Sequence, residues 1–242
     1  MTLNNSNGWR LTLLITANVL ALLLMVSWLL EPTRSLWLDL DEQLFWAMNR
    51  SLNWGEGWQR FWAIANNRAF DLAAATAMAS LFAHRALFSD RKRLKQYLAV
   101  GGFMFVTLLL MLVISKELPI VRPSATALFP EALRLSQLVT DIPTKDFSSD
   151  SFPGDHGLVL LLCAGFAMIY LPLPHGLLAL MFMVLFTLPR LMSGAHWVTD
   201  EIVGALSLGL IALSWLFATP LHQVILGWFQ RQVDRLFKRI KP

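Results

Sequence analysis

In the run PRLMSGAHWVTDE, Arg190 stands six residues before His196 and Asp200 four residues after it. On an intact helix a four-residue separation sets two side chains about 40° apart on one face. There a carboxylate can hold an imidazole N–H, fix the tautomer and stabilise the charged ring. The opposite ring nitrogen is then free to attack an electrophile. By itself a His-x-x-x-Asp pair equally fits an ordinary surface or helix-end pair. Arg190 narrows the choice: a guanidinium at the end of an apolar helix needs an anion, and bidentate phosphate binding is a common use of it.

Two further clusters carry the same residue types. SFPGDHG, from Ser151 to Gly157, sets Asp155 beside His156 directly before an apolar run. It reads either as a turn in which Asp155 caps a helix starting at Gly157, or as half of an active site. In the second reading His156 donates a proton, and Gly154 and Asp155 present backbone N–H groups to phosphate. The acidic side chain of Asp155 would repel phosphate, so it should cap the helix or pair with Lys145 or an arginine. KELPIVRP places Lys116 and Arg122 after another apolar run. Lys145, in the same connection, is a solvated loop charge or a contact to substrate phosphate. NNRAFD, from Asn66 to Asp71, opens a helix: Asn67 and Arg68 are a cap and an interfacial residue, or an acceptor subsite. No metal-ligand pattern is visible and no cofactor is implied, since two arginines and backbone N–H groups can neutralise a phosphoryl group.

The elements that position these residues are apolar. Of 242 residues 56% are hydrophobic and 15% charged, and the mean hydropathy is +0.54, which excludes an ordinary soluble domain. Apolar runs of spanning or near-spanning length cover roughly Leu11–Leu30, Ala69–Phe88, Tyr97–Ser115, Gly157–Leu171, Leu177–Leu191 and Ile202–Thr219. The expected fold is therefore all-α, a six-transmembrane-helix bundle forming a single membrane domain over 1–242. The first run is too long for a cleaved signal and lacks a small-residue cleavage site, so it reads as an anchor. Ten Trp fit interfacial anchoring of helix ends. The one cysteine, Cys163, lies in an apolar run as a small core residue.

The basic residues cluster after the second run, at Arg91, Lys92, Arg93 and Lys95, and in the tail, at Arg231, Arg235, Lys238, Arg239 and Lys241. Six spans put both clusters on one side, which the positive-inside bias makes cytoplasmic, along with both termini. The net charge of +4 is thereby explained by topology and anionic lipid rather than nucleic acid. Connections 31–68, 116–156 and 192–201 then face the opposite side; 31–68 reads as short interfacial helices, and 221–242 as a basic amphipathic tail on the membrane surface. Lys116, Arg122, Asp155, His156, Arg190, His196 and Asp200 all fall at outward helix ends, and charges so placed in an apolar chain are functional by default.

Three ordered clusters resemble the three motifs of the type 2 phosphatidic acid phosphatase (PAP2) superfamily. The Arg190, His196 and Asp200 set is similar to its third motif, SFPGDH to its second, usually Pro-Ser-Gly-His, and KELPIVRP to its first. The resemblance implies His196 as a nucleophile forming phosphohistidine, with Asp200 orienting it. It also implies His156 as the acid that protonates the leaving oxygen, and Arg122 and Arg190 as clamps on the phosphoryl oxygens. The chain departs from the pattern at several points. Lys116 precedes Arg122 by six residues instead of seven, which on an intact helix sets it about 120° away. Pro189 replaces a serine, and Gly154 and Asp155 replace Ser and Gly.

NNRAFD, PTKDFSSDSFPGDHG and GAHWVTDEIVG look like the lipid A phosphotransferase branch of that superfamily. This implies undecaprenyl diphosphate as donor and the 1-phosphate of lipid A as acceptor, at the periplasmic face of a bacterial inner membrane. Two other functions compete. A lipid phosphate phosphatase would pass the phosphoryl group to water. A lipid transporter would need no covalent chemistry, and leaves His196 and Asp200 beside Arg190 without a purpose.

Overall fold

The computed structural model describes residues 8–240, and within them the chain is helical with no strand. The helices are α1 (Leu11–Leu29), α2 (Thr33–Ser51), α3 (Glu56–Ala65), α4 (Arg68–His84), α5 (Leu94–Lys116), the single turns α6 (Ala125–Leu128) and α7 (Leu135–Leu138), then α8 (Asp155–Tyr170), α9 (Leu173–Met192), α10 (Leu206–Phe217) and α11 (Leu221–Ile240). A π-helical stretch, Asp200–Ala205, leads into α10. Four helical segments are long and apolar enough to cross a membrane: Leu11–Leu29, Arg91–Lys116, Leu173–Met192 and Asp200–Phe217.

Helix α8 is the hub, packed against α4, α5, α9 and α10. It is apolar nearly all round, as a helix surrounded by others must be. Leu158, Leu162, Ala164, Phe166 and Ala167 are fully buried, and Cys163 is in the core as expected. Phe166 meets Phe103 of α5 and Phe217 of α10 edge-on, each at 5.1 Å between ring centroids, a favoured aromatic geometry. Helix α1 lies along α10, and Asn18 links them by donating to Ser214 Oγ at 3.1 Å, a polar contact suited to apolar surroundings.

Several boundaries differ from the expected ones. Helix α9 starts at Leu173 instead of Leu177, because Pro174 fits a helix's first turn, where its missing N–H costs nothing. The connection 31–68 holds one long helix, α2, of 19 residues and one shorter helix, α3, of 10. Helix α3 leaves Phe61 and Ile64 exposed. The connection 116–156 is mostly non-helical but braced. Asn49 of α2 donates to Leu133 O at 2.8 Å and accepts from Leu133 N at 3.0 Å, and Arg60 of α3 pairs with Asp141 at 2.6 Å. The tail helix α11 packs along α5 through a Lys95–Asp234 ion pair at 2.9 Å, leaving Val224, Trp228 and Leu236 exposed. Lys241 and Pro242 of that tail lie outside the described residues.

Candidate active site

Helix α9 ends at Met192, and Gly194 turns the chain with φ at +73°, a conformation glycine adopts without steric cost. The turn brings His196 back under the helix end, where it is 5% exposed. Its Nδ1 lies 2.9 Å from the carbonyl oxygen of Ser151 and 3.4 Å from Asp200 Oδ2. A carbonyl can only accept, so Nδ1 carries the proton and Nε2 keeps its lone pair. Nε2 is buried and finds no hydrogen-bond partner among the described residues. Burial opposes charging the ring, but the hydrogen bond with Asp200 and the nearby Glu201 and Asp155 outweigh it, so the His196 pKa is raised above the usual imidazole value of 6.5.

The expected helical pairing of His196 with Asp200 is not how they meet. His196 lies in the turn before the helix. The Asp200 side chain folds back to accept from Trp197 N at 2.8 Å, which caps the helix start and points Oδ2 at the ring. The principal acceptor of Nδ1 is a backbone carbonyl of the SFPGDHG segment, a contact no side-chain pattern could reveal.

Arg122 is also placed differently from expectation. Instead of facing an open phosphate site, its guanidinium donates to Asp41 Oδ2 at 2.7 Å, Asp200 Oδ1 at 3.0 Å and Thr199 Oγ1 at 2.7 Å. It sits against the Trp197 and Trp28 rings, 4.7 Å and 5.4 Å from their centroids. The cation is thus engaged from behind by carboxylates, and it holds Asp200 in place. Asp41, 1% exposed, also accepts from Thr199 N at 2.9 Å. Sequence reasoning missed Asp41: an acid in an apolar chain signals a buried partner, but nothing near it in the sequence names Arg122.

Arg190 is the centre of a second network. It is 5% exposed and donates to both oxygens of Asp71, at 2.6 and 2.7 Å, and to Asn66 Oδ1 at 2.8 Å. His156 Nδ1 lies 3.8 Å from the same Asp71. Asp71 therefore joins Arg190 to His156, a role its place in NNRAFD did not disclose.

Asp155 is the first residue of α8, with Gly154 in the cap position. Its Oδ1 accepts from His156 N at 2.7 Å. The expected cap is therefore displaced by one residue but still satisfies a helix-start donor. Asn67 does cap α4, accepting from Ala69 N at 2.8 Å, and donates to Pro143 O at 2.7 Å. Those bonds make it a brace rather than an acceptor ligand.

Two cavities meet here. One of about 270 Å³ is lined by Lys116, Lys145, Ser151, Asp155 and His196. The other, about 470 Å³, runs from Arg68, Asp71, Lys145, His156 and Arg190 down between α4, α5 and α8 along Met104, Leu108 and Leu112. Lys145 and Asp155 border both, so the two histidines face adjoining spaces. The helical register that would turn Lys116 away does not apply, since α5 stops at Lys116 and the chain to Arg122 runs through a turn at Glu117–Pro119 and then without regular structure. Among the described residues no group of three or more His, Cys, Asp or Glu could hold a metal ion.

The PAP2 superfamily model matches residues 120–225, the stretch that carries Arg122, His156, Arg190, His196 and Asp200. Lipid A 1-diphosphate synthase of Escherichia coli (strain K12) is 35% identical over 221 residues, covering 91% of this chain and 93% of that protein. The chain belongs to the PAP2 superfamily. It is an enzyme and a membrane protein. No solved structure matches it.

Proposed function

We propose that this PAP2 enzyme is a lipid phosphotransferase that moves the terminal phosphoryl group of undecaprenyl diphosphate to the 1-phosphate of lipid A. The observation that carries the chemistry is His196: Nδ1 is anchored by Ser151 O and Asp200, while the buried Nε2 is without a partner beside a cavity bearing two lysines. Nε2 attacks the terminal phosphorus, forming a P–N bond as the P–O bond to the leaving lipid phosphate breaks. His156 protonates that leaving oxygen. An oxygen of the acceptor's 1-phosphate then attacks phosphorus, the P–N bond breaks, and the products are lipid A 1-diphosphate and undecaprenyl phosphate. Lys116, Lys145 and Arg190 neutralise the phosphoryl oxygens, with Asp155 contributing a backbone N–H group, while Arg122 fixes Asp200; the Gly154 N–H, expected to face phosphate too, donates instead to Asp200 O at 3.1 Å. The apolar cavity wall along α4, α5 and α8 suits a polyisoprenyl or acyl chain beside the reacting group.

The reading uses one domain and six spans. Helix α4, with 17 residues, and α8, with 16, are added to the four longer segments; each covers about 25 Å at 1.5 Å per residue. The basic loop at 91–95 and the tail are then cytoplasmic with both termini, and the site faces the periplasm of a bacterial inner membrane. The relative's name supports the acceptor. Purified protein should be given labelled undecaprenyl diphosphate with and without lipid A. Label appearing in lipid A supports transfer. Rapid phosphate release that lipid A does not change, with no labelled lipid A, overturns it in favour of a hydrolase.

A further inference from the structure

A third cavity, about 560 Å³, shares Lys145 with the cavity of His196 but is not lined by His196; it lies between the start of α4 and the segment from Arg134 to Phe147. Three cations border it, Arg68, Arg134 and Lys145, against one acid, Asp146. The acid is already satisfied: Oδ1 accepts from Arg134 at 3.0 Å and Oδ2 from Ser136 N at 2.8 Å, and Asp146 is 2% exposed. Arg68 and Lys145 form no ion pair among the described residues. The Arg134 Nε is buried and finds no partner there either. The cavity therefore has positive charge in excess and donors without acceptors, the complement of an anion.

The walls are braced. Asn66 donates to the backbone oxygen of Lys145 at 2.5 Å, Asn67 to that of Pro143 at 2.7 Å, and Thr144 Oγ1 to that of Ala63 at 2.9 Å. Cations carried on backbone so fixed lose less freedom on binding than cations on a loose loop. The cavity is also joined to the catalytic space, because Arg68 and Lys145 border the 470 Å³ cavity as well.

We infer that the cavity formed by Arg68, Arg134 and Lys145 holds a second phosphate of the acceptor lipid's headgroup, one remote from the phosphate that is phosphorylated. The inference rests on the transfer reading. A donor whose only charges are two adjacent phosphates places both near His196 and has none to offer a cavity that His196 does not line. A headgroup with phosphates at both ends of a disaccharide has one for each space. The lining is charged and polar apart from Pro143 and Phe147, which suits a sugar phosphate and not a lipid chain.

The test uses the full-length protein with Arg134→Gln and Arg68→Gln, and two acceptors: lipid A phosphorylated at both ends of its disaccharide, and lipid A lacking the distal phosphate. Wild type should show a KM about ten-fold lower for the first acceptor, the scale of one charge-assisted hydrogen bond. Arg134→Gln should raise that KM about ten-fold with kcat changed little, and leave the KM for the second acceptor as in wild type. Arg68, which also borders the catalytic cavity, is exposed and has no ion-pair partner among the described residues, so Arg68→Gln should raise the KM for the first acceptor about ten-fold more than that for the second, and it reports even if Arg134→Gln misfolds by freeing Asp146. Equal KM values for both acceptors, or variants that leave the difference intact, overturn the subsite. Inorganic phosphate that competes with neither acceptor in the wild type supports a lipid headgroup as occupant. Competition that is lost in the variants, with no acceptor discrimination, assigns the cavity to free phosphate and overturns the inference. No transfer to either acceptor, with donor hydrolysis intact, removes the transferase reading itself.

Discussion

A pair of histidines stands near each end of the contact between α4 and α9, His84 and His175 of these helices at one, His156 of α8 and His196 after α9 at the other, and the two ends differ in everything but residue type. At one end His84 and His175 stack with ring centroids 5.6 Å apart, and one ring nitrogen of each lies 3.4 Å from the other. His84 is exposed, and Arg85 is the neighbouring charge. Among the described residues no carboxylate pairs with either ring. At the other end His196 and His156 do not pair; each is placed against an acid, Asp200 or Asp71, that is itself held by an arginine. Imidazole chemistry is intrinsic to the residue, but a fixed tautomer, a free nitrogen and a cavity are supplied by the surroundings. The end that holds His196 has all three.

The sharpest way to break this contrast is to remove one histidine from each end. His196→Ala should lower phosphoryl transfer by at least ~10³-fold and abolish any trapped phosphoenzyme, on the scale seen when nucleophiles are deleted. His84→Ala should stay within about two-fold in the same assay. A comparable loss at His84, or near-normal turnover without His196, would defeat the assignment.

Next in size is the arginine network behind the site. Asp41→Ala leaves Arg122 with one carboxylate fewer and Thr199 N without its acceptor, and breaking a buried pair from one side costs about 3–5 kcal/mol. Thermal unfolding in detergent should show that loss. The exposed Lys95–Asp234 pair at the other end, both partners about half-exposed, should show at most ~1 kcal/mol. Equal losses would mean that burial does not separate the two ends.

Asp200→Asn tests orientation and charge together. It should reduce kcat/KM by about 10²-fold or more, since an amide cannot hold the imidazolium as a carboxylate does. The reactive form of His196 is neutral, so activity rises with pH through its pKa, and the raised value puts that acid limb above 6.5. Losing the Asp200 charge lowers the pKa, and the limb should move to lower pH. The matching stability term has the opposite direction: a raised folded pKa favours the native state below 6.5, and that contribution is lost as pH rises through the folded value. A limb that does not move would show that another group sets it.

The same contrast explains what the sequence disclosed. Apolar runs with basic flanks made the helical class and helix ends legible, because hydropathy and charge are local. Arg190, His196 and Asp200 were legible as a set because their spacing is local too. Asp41 and Asp71 were not, since each meets its arginine across more than seventy residues, and the Ser151 carbonyl was not because no side chain marks it. The place of Lys116 could not be read from helical register, which lapses where α5 ends and the chain turns at Glu117–Pro119.

The smallest effect concerns how closely α8 approaches the site. A Cβ at Gly157 would fall 1.7 Å from Glu201 Oε2, and one at Gly154 2.4 Å from the same carboxyl group. Glycine is therefore required there by contact, not by backbone angle, and Glu201 Oε1 is itself buried without a partner among the described residues. Gly157→Ala must displace the Glu201 side chain or tilt α8, at about 1–3 kcal/mol by the usual cost of overpacking. The double variant Gly157→Ala with Glu201→Ala removes the opposing atoms. It should recover most of the stability lost relative to Glu201→Ala alone, as a double-mutant cycle of two touching residues requires. At Gly227 in α11 the nearest atom is 3.5 Å away, so Gly227→Ala should be neutral or mildly stabilising through helix propensity. If Gly157→Ala behaves like Gly227→Ala, the carboxylate at the head of α8 moves freely, and the tight packing that distinguishes the His196 end does not extend to Glu201.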